Sequence, residues 1–142
     1  MNARDQRGSV AVEFAILLPL IVIILFATIE FGLTFSKIED LESAAREGAR
    51  YAAVHCQPRQ VGDPATGPCT TAMVWRQVKN ASTQLTSSGA AMPGSFTVSQ
   101  LDCEHHQGDS VTVQWNQTFT IDIPLLNVYS RTRTLRGVFR CE

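Results

Sequence analysis

The chain has 142 residues and a formal net charge of −1 at pH 7, with 12 Lys and Arg against 13 Asp and Glu. That length suits one domain, or one anchor plus one small domain. The near balance, with no basic block, leaves no electrostatic footprint for nucleic acid, so no nucleic-acid partner is expected. Mean hydropathy is zero, but the average hides two unlike parts. Residues 14–29 carry no charge, whereas residues 55–142 are polar and rich in Thr, Ser and Gln.

Residues 1–8, MNARDQRG, are polar and place Arg4 and Arg7 before the apolar segment. Beyond that segment Glu30, Lys37, Glu39 and Asp40 are mixed in sign. The Arg excess predicts a cytoplasmic N-terminus, with the rest of the chain outside. From Val10 to Phe35 the chain is apolar except for Glu13, Thr28, Glu30, Thr34 and small residues. Residues 14–29 span about 24 Å as a helix, short of the roughly 30 Å hydrocarbon core. Adding Val10–Val12 and Phe31–Phe35 makes a crossing feasible, with Glu13 and Glu30 near the two interfaces. Pro19 removes a backbone donor inside this helix and is expected to kink or loosen it. A hydrocarbon interior penalises a carboxylate by about 2.5–3.5 kcal/mol, so Glu13 is either held near the surface or has a partner.

The helical pattern continues past the apolar run. Ile38, Leu41, Ala45, Gly48, Ala49 and Ala52 recur at spacings of three and four and form a narrow face of small residues. The other side carries Glu39, Asp40, Glu42, Arg46, Glu47 and Arg50, with Glu42–Arg46 a favourable pair worth about 0.3 kcal/mol when exposed. A helix over residues 9–54 would be about 69 Å long. A remaining domain of about 88 residues has only a thin core and cannot bury such a helix along its whole length. The apolar half therefore needs lipid or other helices, and the stretch from Ala45 to Val54 is expected to lie on the C-terminal domain.

Residues 57–70 hold Pro58, Pro64, Pro68, Gly62 and Gly67 and read as a loop. Thr70 or Thr71 caps a second helix over residues 72–85, with Val74, Trp75, Val78 and Leu85 on a broad face. Residues 87–94, SSGAAMPG, make a linker or turn. Three strands follow. The first, residues 95–101, contains Phe96 and Val98. The clearest, residues 110–123, puts Val111, Val113, Trp115, Phe119, Ile121 and Ile123 on one face, and only Gln117 breaks the alternation. Pro124, Leu125 and Leu126 end it. The last strand covers residues 132–141. The expected fold class is α+β: a long N-terminal transmembrane α-helix, then a small domain of a helix and an antiparallel three-stranded sheet.

Cys56, Cys69, Cys103 and Cys141 all lie after the apolar run. An even number in a small extracytoplasmic domain suggests two disulfides, and sequence alone does not choose among three pairings. The pairing preferred here is Cys56–Cys69, closing the Pro/Gly-rich loop, with Cys103–Cys141 pinning the last strand. A loop near the length of the first is worth about 3 kcal/mol in the chain-entropy model. A metal site built from His55, Cys56, Cys103, His105 and His106 is the competing arrangement, but no CxxC or HxxxH spacing supports it, and no metal or other cofactor is expected. Asn80-Ala81-Ser82 and Asn116-Gln117-Thr118 fit a glycosylation pattern that is common by chance. There is no Ser/His/Asp set, phosphate loop or pair of carboxylates on one surface, and the chain is not expected to be an enzyme.

Three explanations fit the N-terminus. A cleaved secretory signal would have a shorter apolar run, no Glu13 and a small-x-small site behind it. A plain signal anchor for a periplasmic binding domain explains the span, but not Glu13 or the helical continuation. The third is a pilin. The polar leader ending in Gly8, then Ser9-Val10-Ala11-Val12-Glu13-Phe14-Ala15 with Leu17, Leu18, Pro19 and Leu20, resembles a class III prepilin peptidase site. Together with Ala44-Ala45-Arg46-Glu47-Gly48-Ala49-Arg50-Tyr51-Ala52-Ala53, it resembles the TadE-like family of tight-adherence (Flp) pilus assembly proteins. The likeness covers residues 7–54.

It implies cleavage between Gly8 and Ser9, and an assembly role for Glu13 and Phe14. Glu13 would become the fifth residue of the mature chain, paired with its own or a neighbour's α-amino group. The implied division is a cytoplasmic leader over 1–8, a transmembrane and extended pilin-like helix over 9–54, and an extracytoplasmic α+β domain over 55–142. The implied partners are membrane lipid, prepilin peptidase, other pilin and pseudopilin subunits, and the Tad inner-membrane assembly machinery. The implied location is a single-pass protein of the bacterial inner membrane, or the pilus itself.

Overall fold

The computed structural model of the chain describes residues 3–56, 69–103, 106–121 and 129–141, with side chains from Val10 onward. Its elements are α1 (Ala3–His55), α2 (Thr71–Ala81), α3 (Thr83–Ser88), β1 (Thr97–Val98), β2 (Ser110–Ile121) and β3 (Tyr129–Arg140). This is the expected α+β class. The chain forms two compact units, one of Met1–Phe35 with Thr120–Arg131, the other of Ser36–Phe119 with Thr132–Glu142.

In the second unit the small-residue face of α1 is the floor of the core. Leu41, Ala44, Ala45, Ala49, Ala52 and Ala53 are all buried, whereas Val54 is exposed. The expected intramolecular packing of this face is therefore observed. Small side chains are needed because two other elements press directly on the helix. A Cβ at Gly48 would run into the Val78 side chain of α2, and one at Gly137 would run into the backbone of Ala45 and Arg46. Gly48 thus lets α2 settle on α1, and Gly137 lets β3 cross the helix at backbone distance.

The sheet order is β1-β2-β3. β1 pairs antiparallel with β2, Thr97 opposite Gln114 and Val98 opposite Val113. The β2–β3 hairpin keeps one register from end to end: Cys141 N–H donates to Asp109 O at 2.8 Å, the Thr134 hydroxyl to Asn116 Oδ1 at 2.8 Å, and the Thr118 and Thr132 hydroxyls meet at 2.9 Å. The alternation expected for β2 is present, with Val111, Val113 and Trp115 buried while Gln114 and Asn116 are exposed. Leu135 joins them from β3. Trp115 meets Trp75 of α2 edge-on at 5.9 Å, and Phe96 closes the cluster 5.1 Å from Trp75.

Three expectations change. The single helix over 72–85 is two helices broken at Ser82, whose backbone is extended (φ −113°, ψ 126°). Ser82 closes α2 and opens α3, its hydroxyl accepting from Leu85 N–H at 3.3 Å. The strand over 95–101 is only Thr97–Val98, because hydroxyls take over the ladder at both ends. Asn116 N–H donates to Ser95 Oγ at 3.1 Å, and Thr112 N–H to Ser99 Oγ at 2.9 Å. Finally, β3 starts earlier than residue 132, at Tyr129. The loop over 57–68 and the turn at Pro124, Leu125 and Leu126 lie outside the described residues.

In the first unit α1 runs through Pro19 without interruption. The Thr28 hydroxyl bonds back to Ile24 O at 2.8 Å, a contact that costs the helix little and hides a polar group from an apolar surround.

Candidate assembly segment

Gly8 and Ser9 lie within the backbone of α1, as do Glu13 and Phe14. The side chains of Glu13 and Phe14 are both exposed, Phe14 at 60%. Among the described residues Glu13 has no ion pair. Around and beyond it Val10, Val12, Ile16, Leu17, Leu18, Leu20, Ile21, Ile24, Leu25, Phe26, Ile29, Phe31, Leu33 and Phe35 are all exposed as well. The helix is long and apolar enough to cross a membrane, and none of its most apolar stretch is buried. Exposed apolar area on this scale far exceeds what a soluble monomer tolerates, and it requires lipid or apolar partners.

Where α1 meets the packed unit, sequence reasoning missed the role of two acidic residues. Asp40, expected on a solvated face, caps α3. Its Oδ2 accepts from the Ser82 hydroxyl at 2.6 Å, from Gln84 N–H at 3.4 Å and from the Thr83 hydroxyl at 3.5 Å. The carboxylate satisfies first-turn donors that the helix itself leaves open. Glu42 pairs across to Arg133 of β3 at 3.2 Å rather than with Arg46, and Arg50 pairs weakly with Glu47 at 3.5 Å. A Ser-Thr pair after a helical run was the available signal for the cap. Nothing local pointed to Asp40 as its partner, 42 residues away.

The four cysteines form the two disulfides preferred from sequence. Cys56–Cys69 has a Cα separation of 5.2 Å and Cys103–Cys141 one of 5.3 Å. Cys56 and Cys103 therefore sit in separate disulfides and offer no thiolate to a shared metal. Among the described residues no group of three or more His, Cys, Asp or Glu converges; His105 lies outside them. His55 stacks on Tyr51 at 4.7 Å, and His106 Nδ1 lies 2.9 Å from Asp102 O.

An apolar helix left bare over its first half and packed into a small α+β domain over its second defines a membrane-anchored protein. Residues 8–50 match the family model described as TadE-like protein. Over that stretch the chain is similar to TadE-like proteins. No curated protein and no solved structure matches the chain.

Proposed function

We propose that this chain is a minor pilin or pseudopilin of a Flp (Tad) pilus or secretion apparatus. In this reading prepilin peptidase cuts after Gly8 in the leader 1–8, and the helix over 9–54 inserts in the inner membrane and then assembles with other pilin and pseudopilin subunits through the Tad machinery. The domain over 55–142 lies on the extracytoplasmic side, where its disulfides form. The observation that carries the reading is the coincidence of the TadE-like match over residues 8–50 with a helix whose most apolar stretch has no buried residue.

Cleavage after Gly8 would remove Arg4, Asp5 and Arg7, a net loss of one positive charge, and would expose a new α-amino group four residues before Glu13. A carboxylate leaving water gains most when an opposite charge is within reach. Glu13 then selects the register in which the next helix enters the assembly, and Phe14 contributes apolar contact beside it. Pro19 loosens the helix for its passage out of the bilayer. A signal-anchored periplasmic binding domain is the alternative, and mass spectrometry of the membrane-associated product separates the two. A mature N-terminus at Ser9 supports the pilin, retention of Met1 supports the anchor, and loss of the whole apolar segment refutes both.

A further inference from the structure

The two sides of the sheet are finished differently. One side of β2 is covered by β1, and past its short pairing the hydroxyls of Ser95 and Ser99 take the next donors of β2. β3 is the other edge. Cys141 N–H points inward to Asp109 O. In an antiparallel ladder the odd-numbered residues of β3 therefore bond to β2, and Thr132, Thr134, Arg136, Val138 and Arg140 turn their N–H and C=O groups outward. All five are exposed, Val138 at 45%. Among the described residues no turn or further strand closes this edge. The same five side chains stand on the face away from the core, because Leu135 and Gly137 between them are buried.

The edge also carries charge of one sign. β3 holds Arg131, Arg133, Arg136 and Arg140 and no Asp or Glu. Arg133 reaches inward to Glu42, and Arg140 Nε donates to Gly108 O at 3.2 Å. Among the described residues Arg136 has no ion pair. Charged side chains on an edge normally keep other strands away. With a single sign, they keep away only strands of that sign. A second copy of β3 pairing antiparallel about Val138 or about Arg136 would set Arg136 against Arg140 or against itself, which is unfavourable. An acidic strand meets the same side chains as attraction.

We infer that the outer edge of β3, over residues 132–140, docks an extended acidic segment of another protein, which joins the sheet as an added strand. Arg136 and Arg140 lie on one face with Val138 midway between them. The segment recognised therefore carries two acidic residues about 14 Å apart, with an apolar residue midway. This docking uses the packed unit alone and does not depend on whether α1 enters a pilus.

The test uses the full chain in detergent and the synthetic peptide Glu-Thr-Val-Thr-Glu-Thr-Val-Thr-Glu, with amide exchange followed by NMR. The peptide is expected to slow exchange about tenfold at Thr132, Thr134, Arg136 and Val138, and to leave Leu135 and Phe139, whose amides face β2, unchanged. Ionic contact alone does not produce that alternation. N-methylating the peptide nitrogens that face β3 is expected to weaken affinity at least about tenfold. Arg136→Glu is expected to weaken it about tenfold and to favour the peptide with Lys in place of Glu, a gain that a misfolded variant would not show. Binding without the alternation overturns the added strand, and equal protection of the wild-type chain by the Lys peptide overturns the acidic selection. No binding overturns the docking outright. Edge amides already protected without peptide, and more so at higher protein concentration, assign the edge to a second copy and also overturn it.

Discussion

Gly137→Ala tests how the domain is built, because a single methyl at this position meets backbone rather than side chain. Its Cβ would fall inside 3.0 Å of the Ala45 carbonyl carbon and oxygen and of the Arg46 amide nitrogen. Those atoms belong to the continuous hydrogen-bond ladder of α1 and cannot rotate away. The strand must therefore back off by about 0.5–1 Å, which forfeits a quarter to a half of the dispersion well for contacts across the gap. The hairpin register sets Val113 opposite Gly137, and Leu135 is two residues along on the same inner face; both are fully buried. If each makes about 50 contacts worth about 0.1 kcal/mol, losing a quarter of them costs about 2.5 kcal/mol. The smaller entropy of an alanine in the unfolded chain returns about 0.4–1 kcal/mol. The net expectation is a loss of about 2 kcal/mol, or a Tm lower by roughly 8–16 °C for a unit of this size. The assay is thermal unfolding of the detergent-solubilised full chain, followed by near-ultraviolet circular dichroism from the Trp75–Phe96–Trp115 cluster. Gly94→Ala, with nothing within 4 Å of the added methyl, is the control and should stay within about 1 kcal/mol of wild type. A Gly137→Ala protein as stable as that control would show that β3 is not seated on the helix backbone.

Asp40→Ala should destabilise the packed unit by about 1–2 kcal/mol and speed amide exchange at Gln84 and Leu85 while sparing α2, which separates loss of a cap from general unfolding; uniform protection across α3 in the variant would refute the capping role. Removing Cys103–Cys141, which spans 38 residues, should cost about 4 kcal/mol, and removing Cys56–Cys69, which spans 13, about 3 kcal/mol. Denaturant titration of the paired Ser variants measures both, and a reversed order would refute the loop-length argument. Gly8→Arg is expected to block maturation, so a normal mature mass in that variant rules out cleavage after Gly8. Glu13→Ala is expected to leave cleavage possible while weakening assembly; pili formed at wild-type yield would mean that the carboxylate does not guide subunit entry.

How much of this was readable in advance depended on how local the cause was. The Val111–Val113–Trp115 alternation and the i, i+3, i+4 recurrence of small residues on α1 are statements about neighbours in sequence, and both appear where they were expected. The disulfide pairing was one of three that the sequence left open, preferred for the loop each bridge would close, and it is the one formed. The break at Ser82 was hidden because the apolar positions Val74, Val78 and Leu85 keep a helical phase across it. What favours the break is Asp40, 42 residues earlier, accepting from the Ser82 hydroxyl. β1 is short for a similar reason: the Ser95 and Ser99 hydroxyls compete for the donors of β2, and a strand pattern gives no hint of that. Gly137 resembled any weak point in a strand until the helix beneath it was seen. In the assembly segment, composition alone marked Glu13 and the bare apolar run, because isolation of a carboxylate is a property of its immediate neighbours.

The small-residue face of α1 also limits what the helix has left to offer other subunits. Ala44, Ala45, Ala49, Ala52 and Ala53 are fully enclosed by their own sheet and by α2. Side chains of this size are the ones that let helices of separate chains approach closely, but here that capacity is already used within one chain. Close helix-to-helix approach through alanine or glycine is therefore left to the residues before Leu41, whereas beyond Leu41 the exposed face of α1 offers larger or polar side chains such as Arg46, Arg50 and Val54.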